Sequence, residues 1–194
     1  MKLLTRAITA LAATGVMLGA LLAGSAPASA ADLRTVWISV KPPPGSSIGP
    51  VVLDARGPIQ DRSRAVIWLK ENPVPSHQMW TISTAGTYNG NNLLMFRNKN
   101  SQLCLDMSLD TPAGNGSPVY EYGCNSGFDN QKWIWLRVES GNNHGILVNY
   151  YTIGKATQLC LDATGPSYDS GTPLQVWSCN LNNSSNWNQR WNIL

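Results

Sequence analysis

The sequence is poor in charged residues and contains no cluster of one sign. Only 13% of its 194 residues are Asp, Glu, Lys or Arg, and the formal net charge is +3. The basic residues are scattered, which argues against nucleic acid as a partner because such a ligand requires a clustered basic face. Asn, Ser, Thr, Gln and Gly are abundant instead. A surface of this kind suits neutral, hydroxyl-rich ligands better than ionic ones.

Motifs for metal binding and nucleophilic catalysis are missing. There is no Cys-x-x-Cys pair, and the two histidines, His77 and His144, lie far in sequence from any cysteine. A zinc site is therefore disfavoured, and we expect no metal or cofactor. No Gly-x-Ser-x-Gly elbow occurs, and Ser76 beside His77 is a coincidence of sequence rather than a nucleophile with its base.

The single long apolar run lies at the amino terminus. Lys2 and Arg6 precede it, and the small residues Ala28-Ser29-Ala30 follow it. The run is rich in Gly, Ala and Thr and lacks the roughly 20 strongly apolar residues of a membrane-spanning helix. We interpret residues 1–30 as a secretory signal, so that the mature protein begins near Ala31, is extracellular and has no membrane span.

Four cysteines in a secreted chain indicate two disulfides. Of the three possible connectivities we favour Cys104 with Cys124 and Cys160 with Cys179, because these join equivalent positions of a repeat. Each closes a loop of about 20 residues, which stabilises the fold by about 3 kcal/mol in the chain-entropy model. Residues 31–194 are enough for one domain with its own core, and we expect a monomer.

No helical period occurs after the amino-terminal run, which predicts an all-β fold. Short alternating or β-branched segments are separated by Pro, Gly, Asn and Ser. They predict twelve strands in three groups of four: 35–40, 51–55, 65–70 and 79–83; 93–97, 102–107, 118–124 and 132–138; 146–153, 158–163, 174–179 and 190–194. The spacing of about 50 residues between groups indicates internal repetition.

The repetition holds residue by residue over three lobes, at approximately 34–84, 92–139 and 145–194. Each lobe has a strand that ends in apolar-x-Leu-Asp, an aromatic residue on the next strand, and a closing Gln-x-Trp triplet. The aspartates are Asp54, Asp106 and Asp162, the aromatics are Trp68, Tyr122 and Trp177, and the triplets begin at Gln78, Gln131 and Gln189. Three triplets at the same place in the strand pattern form a specific signal.

The third repeat predicts a sugar-binding unit from strand geometry. If Cys160 and Cys179 lie directly opposite each other on antiparallel strands, counting two residues inward places Asp162 across from Trp177. A carboxylate then accepts hydrogen bonds from vicinal hydroxyls beside the apolar face of an indole. These are the two contacts that a sugar ring can use.

The repeats resemble those of the ricin B-type lectin family, whose units read roughly Cys-Leu-Asp, then Gln-x-Trp-x-Cys, then Asn-Gln-x-Trp. The resemblance covers essentially the whole mature chain, most clearly Leu94 to Leu194. It implies a β-trefoil, in which six strands form a short barrel and six form hairpins that cap it, with one potential sugar pocket in each lobe. Barrel closure also removes exposed strand edges.

By resemblance, the third lobe carries a nearly complete site. Asp162 accepts hydrogen bonds from sugar hydroxyls and Trp177 stacks on the ring. Gln175 and Asn188 add polar contacts, and Gln189 orients the aspartate.

The second lobe carries an altered site. It retains Asp106, Asn130 and Gln131 and has Tyr122 as the stacking platform. Tyr120 stands in place of the expected glutamine, so the resemblance implies weaker binding or a different specificity.

The first lobe is degraded. It retains Asp54, Trp68 and Gln78, so it either binds weakly or is kept for structure. The replaced positions are Val52 and Lys70 for the cysteines, Val66 for the glutamine and His77 for the asparagine. We favour the structural role, because a hairpin without its disulfide must order its loop at a further conformational cost on binding.

Together these features predict a secreted, non-catalytic carbohydrate-binding lectin for neutral glycans or polysaccharides of the galactose or xylose type. A glycosidase needs two carboxylates roughly 5 to 9.5 Å apart, whereas Asp106 and Asp162 occupy equivalent positions of different lobes. Two alternatives stay open. One is a trefoil protease inhibitor, against which the Gln-x-Trp triplets argue, and the other is a protein-interaction module that uses long loops such as residues 180–186.

Overall fold

A computed structural model describes residues 34–138, 144–165, 167–182 and 185–194. The predicted signal at residues 1–30 lies outside these ranges, as do Ala31 and part of the loop at 180–186. In the part of the chain that is described, no helix is long and apolar enough to cross a membrane.

The described residues form an all-β fold, as the sequence predicts. Its fourteen strands join in one antiparallel sheet, and its helical elements are four single turns of 3-10 helix at Ser76–Gln78, Asp129–Gln131, Tyr150–Thr152 and Trp187–Gln189. The strands are β1 Arg34–Val36, β2 Ile38–Val40, β3 Val51–Asp54, β4 Ser63–Arg64, β5 Val66–Leu69, β6 Trp80–Tyr88, β7 Asn91–Asn98, β8 Cys104–Met107, β9 Ser117–Tyr122, β10 Trp133–Arg137, β11 His144–Asn149, β12 Leu159–Ala163, β13 Leu174–Ser178 and β14 Trp191–Ile193.

A ring of paired strands forms the barrel. β1 pairs with β6, β6 with β7, β7 with β10, β10 with β11, β11 with β14 and β14 with β2, which closes the ring. β1 and β2 are two parts of one barrel strand, interrupted at Trp37, whose backbone N–H and C=O pair with those of Leu194 at 3.2 and 3.1 Å. The closed ring gives the barrel strands partners on both sides.

Three hairpins cap the barrel, one from each lobe. They are β3 with β5, β8 with β9 and β12 with β13. The hairpins also contact one another. β9 of the second hairpin pairs with β13 of the third and with β4, which lies between the two strands of the first. Six barrel strands and six hairpin strands are the β-trefoil arrangement, which confirms the predicted fold; the interruption at Trp37 and the two-residue β4 account for the additional strands.

The junction between the first and second lobes is tighter than predicted. β6 extends to Tyr88, beyond the predicted end at Ser83, because a two-residue turn joins it directly to β7. The turn residues Asn89 and Gly90 have φ angles of 47° and 78°. Asn-Gly favours this hairpin turn because both residues tolerate the left-handed region.

The three triplet tryptophans lie at the centre of the fold. Trp80, Trp133 and Trp191 are each 0% exposed. Each indole N–H donates to the carbonyl oxygen of the leucine that precedes the repeated aspartate, at 3.2, 3.3 and 2.9 Å for Leu53, Leu105 and Leu161. Each triplet therefore anchors a barrel strand to the hairpin of its own lobe.

Both predicted disulfides are present, but the predicted register is wrong. Cys104 is bonded to Cys124 and Cys160 to Cys179, with Cα–Cα distances of 5.0 Å. Cys160 lies opposite Trp177, and Asp162 lies opposite Gln175 rather than Trp177. The reason is that Cys179 follows the end of β13, so the disulfide crosses the strand pair diagonally.

The disulfides should contribute measurably to stability. Replacing both Cys104 and Cys124 by serine is expected to lower the free energy of unfolding by about 3 kcal/mol, because the unfolded chain regains the freedom of a closed loop. The Cys160→Ser, Cys179→Ser variant should lose a similar amount, since its loop spans 19 residues against 20. Urea denaturation measures both losses, and a loss below about 1 kcal/mol in either variant would contradict the estimate.

Candidate functional site

One polar arrangement recurs in all three lobes around the repeated aspartate. Asp54, Asp106 and Asp162 are 0%, 5% and 3% exposed. The triplet glutamine of the same lobe donates from Nε2 to each carboxylate, at 2.9, 2.9 and 3.0 Å. A buried carboxylate needs such donors because it has lost its water.

The triplet glutamines lie behind the carboxylates. They are at most 1% exposed. Each ends a 3-10 turn that precedes the last barrel strand of its lobe: Gln78 before β6, Gln131 before β10 and Gln189 before β14. Nε2 also donates to a carbonyl oxygen at the end of the hairpin, that of Leu69, Gly123 or Ser178. Oε1 accepts the backbone N–H of Glu71, Asn125 or Asn180. This geometry assigns the glutamines to positioning the carboxylate, as the resemblance implies for Gln189.

The third lobe has an open cavity of about 330 Å³ beside its carboxylate. Its lining brings together the four residues predicted to contact a ligand, Asp162, Gln175, Trp177 and Asn188, and three that the sequence reasoning missed, Thr164, Gly165 and Asn186. Trp177 is 44% exposed. Trp177 lies diagonally across the strand pair from Asp162 instead of directly opposite, and diagonal positions on one face of a sheet are about 7–8 Å apart.

Amide donors fix the third-lobe carboxylate in one orientation. Gln175 Nε2 donates to Oδ1 of Asp162 at 2.9 Å, and Asn188 Nδ2 donates to Oδ2 at 2.8 Å. Asn188 also donates to the carbonyl oxygen of Ala163 at 3.1 Å. The Asp162 carboxylate, which lines the cavity, is therefore held in its orientation before a ligand binds.

The second lobe has a cavity of about 240 Å³. It is lined by Asp106, Tyr120, Tyr122 and Asn130, which the sequence reasoning singled out, and by Arg62, Ser108, Leu109, Asp110 and Phe128, which it missed. Asn130 Nδ2 donates to Asp106 at 3.0 Å, as its third-lobe counterpart does.

The rim of the second-lobe cavity is charged and apolar at once. Arg62, from the first lobe, pairs with Asp110 at 2.8 Å, and the Tyr120 hydroxyl donates to the same carboxylate at 3.2 Å. Leu109 and Phe128 are 43% and 44% exposed. The second lobe therefore presents a different rim from the third around the same carboxylate.

The first lobe brings Asp54, Trp68 and Gln78 together, but an arginine joins them. Arg56 donates to both oxygens of Asp54, and its guanidinium carbon lies 3.6 Å from the centre of the Trp68 ring. His77 Nδ1 lies 3.2 Å from Oδ2 of Asp54. Sequence reasoning missed Arg56. The available signal was its position two residues after the repeated aspartate, where the other lobes have Ser108 and Thr164.

Burial raises the pKa of both Asp106 and Asp162 to about 6. The hydrogen bonds from Gln131 and Asn130 to Asp106, and from Gln175 and Gln189 to Asp162, oppose part of this rise. Both carboxyls are thus ionised at neutral pH and protonated in weak acid. Within the described ranges, no group of three or more His, Cys, Asp or Glu is placed to hold a metal ion.

Comparison with known proteins agrees with this geometry. Residues 76–149 match the family model described as "Ricin-type beta-trefoil lectin domain-like", which confirms the resemblance that the repeats predict. Comparison with curated protein sequences finds no match.

Three solved structures illustrate the shared fold. The designed threefold-symmetric protein ThreeFoil is 18% identical with a TM-score of 0.62, covering 82% of this chain and 97% of its own. The ricin B-like lectin of Macrolepiota procera in complex with lactose is 19% identical with a TM-score of 0.55, covering 82% and 94%. The β-trefoil lectin of the Vibrio vulnificus hemolysin/cytolysin, with N-acetyl-D-lactosamine bound, is 18% identical with a TM-score of 0.55, covering 83% and 93%. At these identities the likeness shows the fold.

The positioning role of the triplet glutamine predicts a titration. Replacing Gln189 by Ala should raise the pKa of Asp162 further above about 6, because the charged carboxylate loses a donor that stabilises it. The pH dependence of the aspartate carboxyl ¹³C resonances measures this change, and Asp106 serves as the internal control. An unchanged or lowered pKa of Asp162 would remove the positioning role.

Proposed function

We propose that the chain is a secreted, non-catalytic lectin that binds neutral glycans through its third and second lobes. Residues 1–30 are the export signal in this proposal, and residues 31–194 are the lectin domain. One observation carries it: in both lobes a buried carboxylate, fixed by amide donors, lines an open cavity beside an aromatic ring. These are the complementary surfaces of a sugar ring, whose rim is polar and whose faces carry C–H groups.

In the third lobe, the C–H face of a sugar stacks on Trp177 while a hydroxyl of the same ring donates to Asp162, whose carboxylate already accepts three amide N–H groups. The diagonal placement of the two side chains leaves room for the ring between them. Because Gln175, Asn188 and Gln189 already hold the carboxylate, binding requires little ordering of the site. Preorganisation of this kind favours affinity by reducing the entropic cost.

In the second lobe, Tyr122 is the platform and Asp106 the acceptor. Tyr120 replaces the amide of Gln175, and its hydroxyl points to Asp110 instead of the central carboxylate. Leu109 and Phe128 add apolar wall on the cavity rim. We infer that this lobe prefers different substituents on the sugar from those that the third lobe prefers.

The ligand class follows from the weakness of single open sites. A shallow pocket binds one sugar weakly, and two pockets gain avidity when both engage one multivalent glycan. We therefore propose a polysaccharide or clustered glycan as the partner. The Macrolepiota and Vibrio lectins named above hold lactose and N-acetyl-D-lactosamine, which supports testing galactose-type glycans first, beside xylan.

Removing the aromatic platform of the third lobe should weaken binding. Trp177→Ala should weaken retention on immobilised galactan or xylan by about tenfold, equivalent to about 1.4 kcal/mol, because the stacking surface is lost. Ile59→Ala is the matched control, since Ile59 is 62% exposed and lines neither cavity.

Circular dichroism should be the same for both variants and the wild type, which separates loss of binding from loss of fold. Retention of Trp177→Ala equal to that of the control would exclude the third lobe as the site. Release of reducing sugar from the same polysaccharides by the wild type would contradict the non-catalytic part of the proposal.

Binding should also depend on pH. Retention is expected to fall between pH 7 and pH 5, because the carboxylates of Asp106 and Asp162 become protonated near pH 6 and lose their charge as acceptors. Affinity chromatography at constant ionic strength measures the change, with circular dichroism at each pH as the control for folding. Full retention at pH 5 would show that the ionised form is not required.

A further inference from the structure

We propose that Arg56 acts as a built-in ligand of the first lobe, whose guanidinium fills the space that a sugar takes in the other two lobes. The inference rests on the proposed function, since it explains why two of three equivalent sites are open. It also assigns a specific cause to the degraded first lobe.

The contacts of Arg56 repeat those proposed for a sugar. Its planar guanidinium lies over the Trp68 ring at 3.6 Å. Its nitrogens Nη2 and Nε donate to the two oxygens of Asp54 at 2.7 and 3.2 Å. Stacking on the aromatic and donation to the buried carboxylate are thus both satisfied from within the chain. A guanidinium suits this role because it is flat and carries its donors in one plane.

The equivalent positions in the other lobes explain why their cavities are open. The residue two positions after the repeated aspartate is Arg56 in the first lobe, Ser108 in the second and Thr164 in the third. Ser108 and Thr164 both line their cavities. A short hydroxyl side chain leaves the aromatic face free, whereas an arginine at the same position reaches over it.

A second carboxylate holds the arginine in place. Arg56 Nη2 also donates to Oε1 of Glu71 at 2.6 Å. Glu71 has structural counterparts in Asn125 and Asn180, because the backbone N–H of each of the three donates to the triplet glutamine of its lobe. Glu71 is the only charged residue among these three. Together with Asp54 it holds the Arg56 guanidinium from two sides, an arrangement that we call the clamp.

The clamp closes the first lobe to neutral sugars. Asp54 is fully buried, and a sugar that displaced Arg56 would exchange a charge-assisted fork for hydroxyl donors. Charge-assisted hydrogen bonds are roughly twice as strong as neutral ones. The arginine is also tethered two residues away, so its effective concentration exceeds that of a dissolved sugar.

Removing the arginine from the first lobe and adding one to the third should change polysaccharide binding in opposite directions. In the Tyr122→Ala, Trp177→Ala background, which removes the stacking platforms of the two open lobes, adding Arg56→Ser should raise retention on immobilised galactan or xylan at least twofold above the background. Arg97→Ser in the same background is the control for loss of one positive charge. In the wild-type background, Thr164→Arg combined with Asn180→Glu should reduce retention as far as Trp177→Ala does, while Ile59→Arg, which adds the same positive charge outside both cavities, should leave it unchanged.

Two results would overturn the proposal in this arm. One is retention of the Tyr122→Ala, Trp177→Ala protein equal to that of the wild type, because the first lobe would then bind with the arginine in place. The other is absence of any gain from Arg56→Ser in a protein that circular dichroism shows to be folded.

A second arm does not depend on sugar and separates this proposal from the proposed function. In ¹⁵N NMR spectra, the Nε–H of Arg56 should exchange slowly with water, and its δ protons should shift upfield because they lie near the Trp68 ring. Trp68→Leu should abolish the upfield shift. Rapid exchange and unshifted δ protons in the wild type would overturn the assignment, whereas failure of the wild type to bind any polysaccharide would overturn the proposed function alone.

Discussion

Each lobe depends on the hydrogen bonds that the glutamine of its Gln-x-Trp triplet makes. Its amide joins the buried aspartate, a carbonyl oxygen at the end of the hairpin and the backbone N–H that follows. Two residues later, the triplet tryptophan ties the same barrel strand to the leucine before that aspartate. A carboxylate can be buried here because this framework supplies its donors. The residues that stabilise the lobe therefore also prepare its acceptor.

Around this shared framework, a few variable positions decide what each lobe can do. The carboxylate is the same in all three, but the side chain two residues later leaves it open in two lobes and covers it in the first. The residue opposite the carboxylate is Gln175 in the third lobe, Tyr120 in the second and Val66 in the first. The pseudo-symmetry thus keeps the fold of the three lobes constant, while single side chains decide whether the carboxylate of each lobe is open to a ligand.

Sequence periodicity predicted an all-β fold with three repeats, and the equivalent positions of the cysteines in those repeats predicted both disulfides. The β-trefoil and the polar residues around the third-lobe cavity were predicted from the resemblance of the repeats to ricin B-type lectins. The predicted opposition of Asp162 and Trp177 was wrong, since spacing alone does not reveal that the disulfide crosses the strands diagonally. Arg56 and Arg62 were missed for a different reason. Arg56 is held by Glu71, fifteen residues away, and Arg62 reaches a cavity of the next lobe. Repeat alignment marks Arg56 as different from Ser108 and Thr164, but the contacts of both arginines depend on tertiary structure that the alignment does not contain.

Closure of the barrel has a consequence for how the chain acquires its structure. The hairpins pair residues close in sequence, but β2 finds its partner in β14, at the opposite end of the described residues, and Trp37 pairs with Leu194. Contacts between distant residues form slowly because the intervening chain must first be ordered. We expect hairpins to form early and the ring to close last, so that translation must reach residues 191–194 before the first and third lobes gain their full set of paired strands.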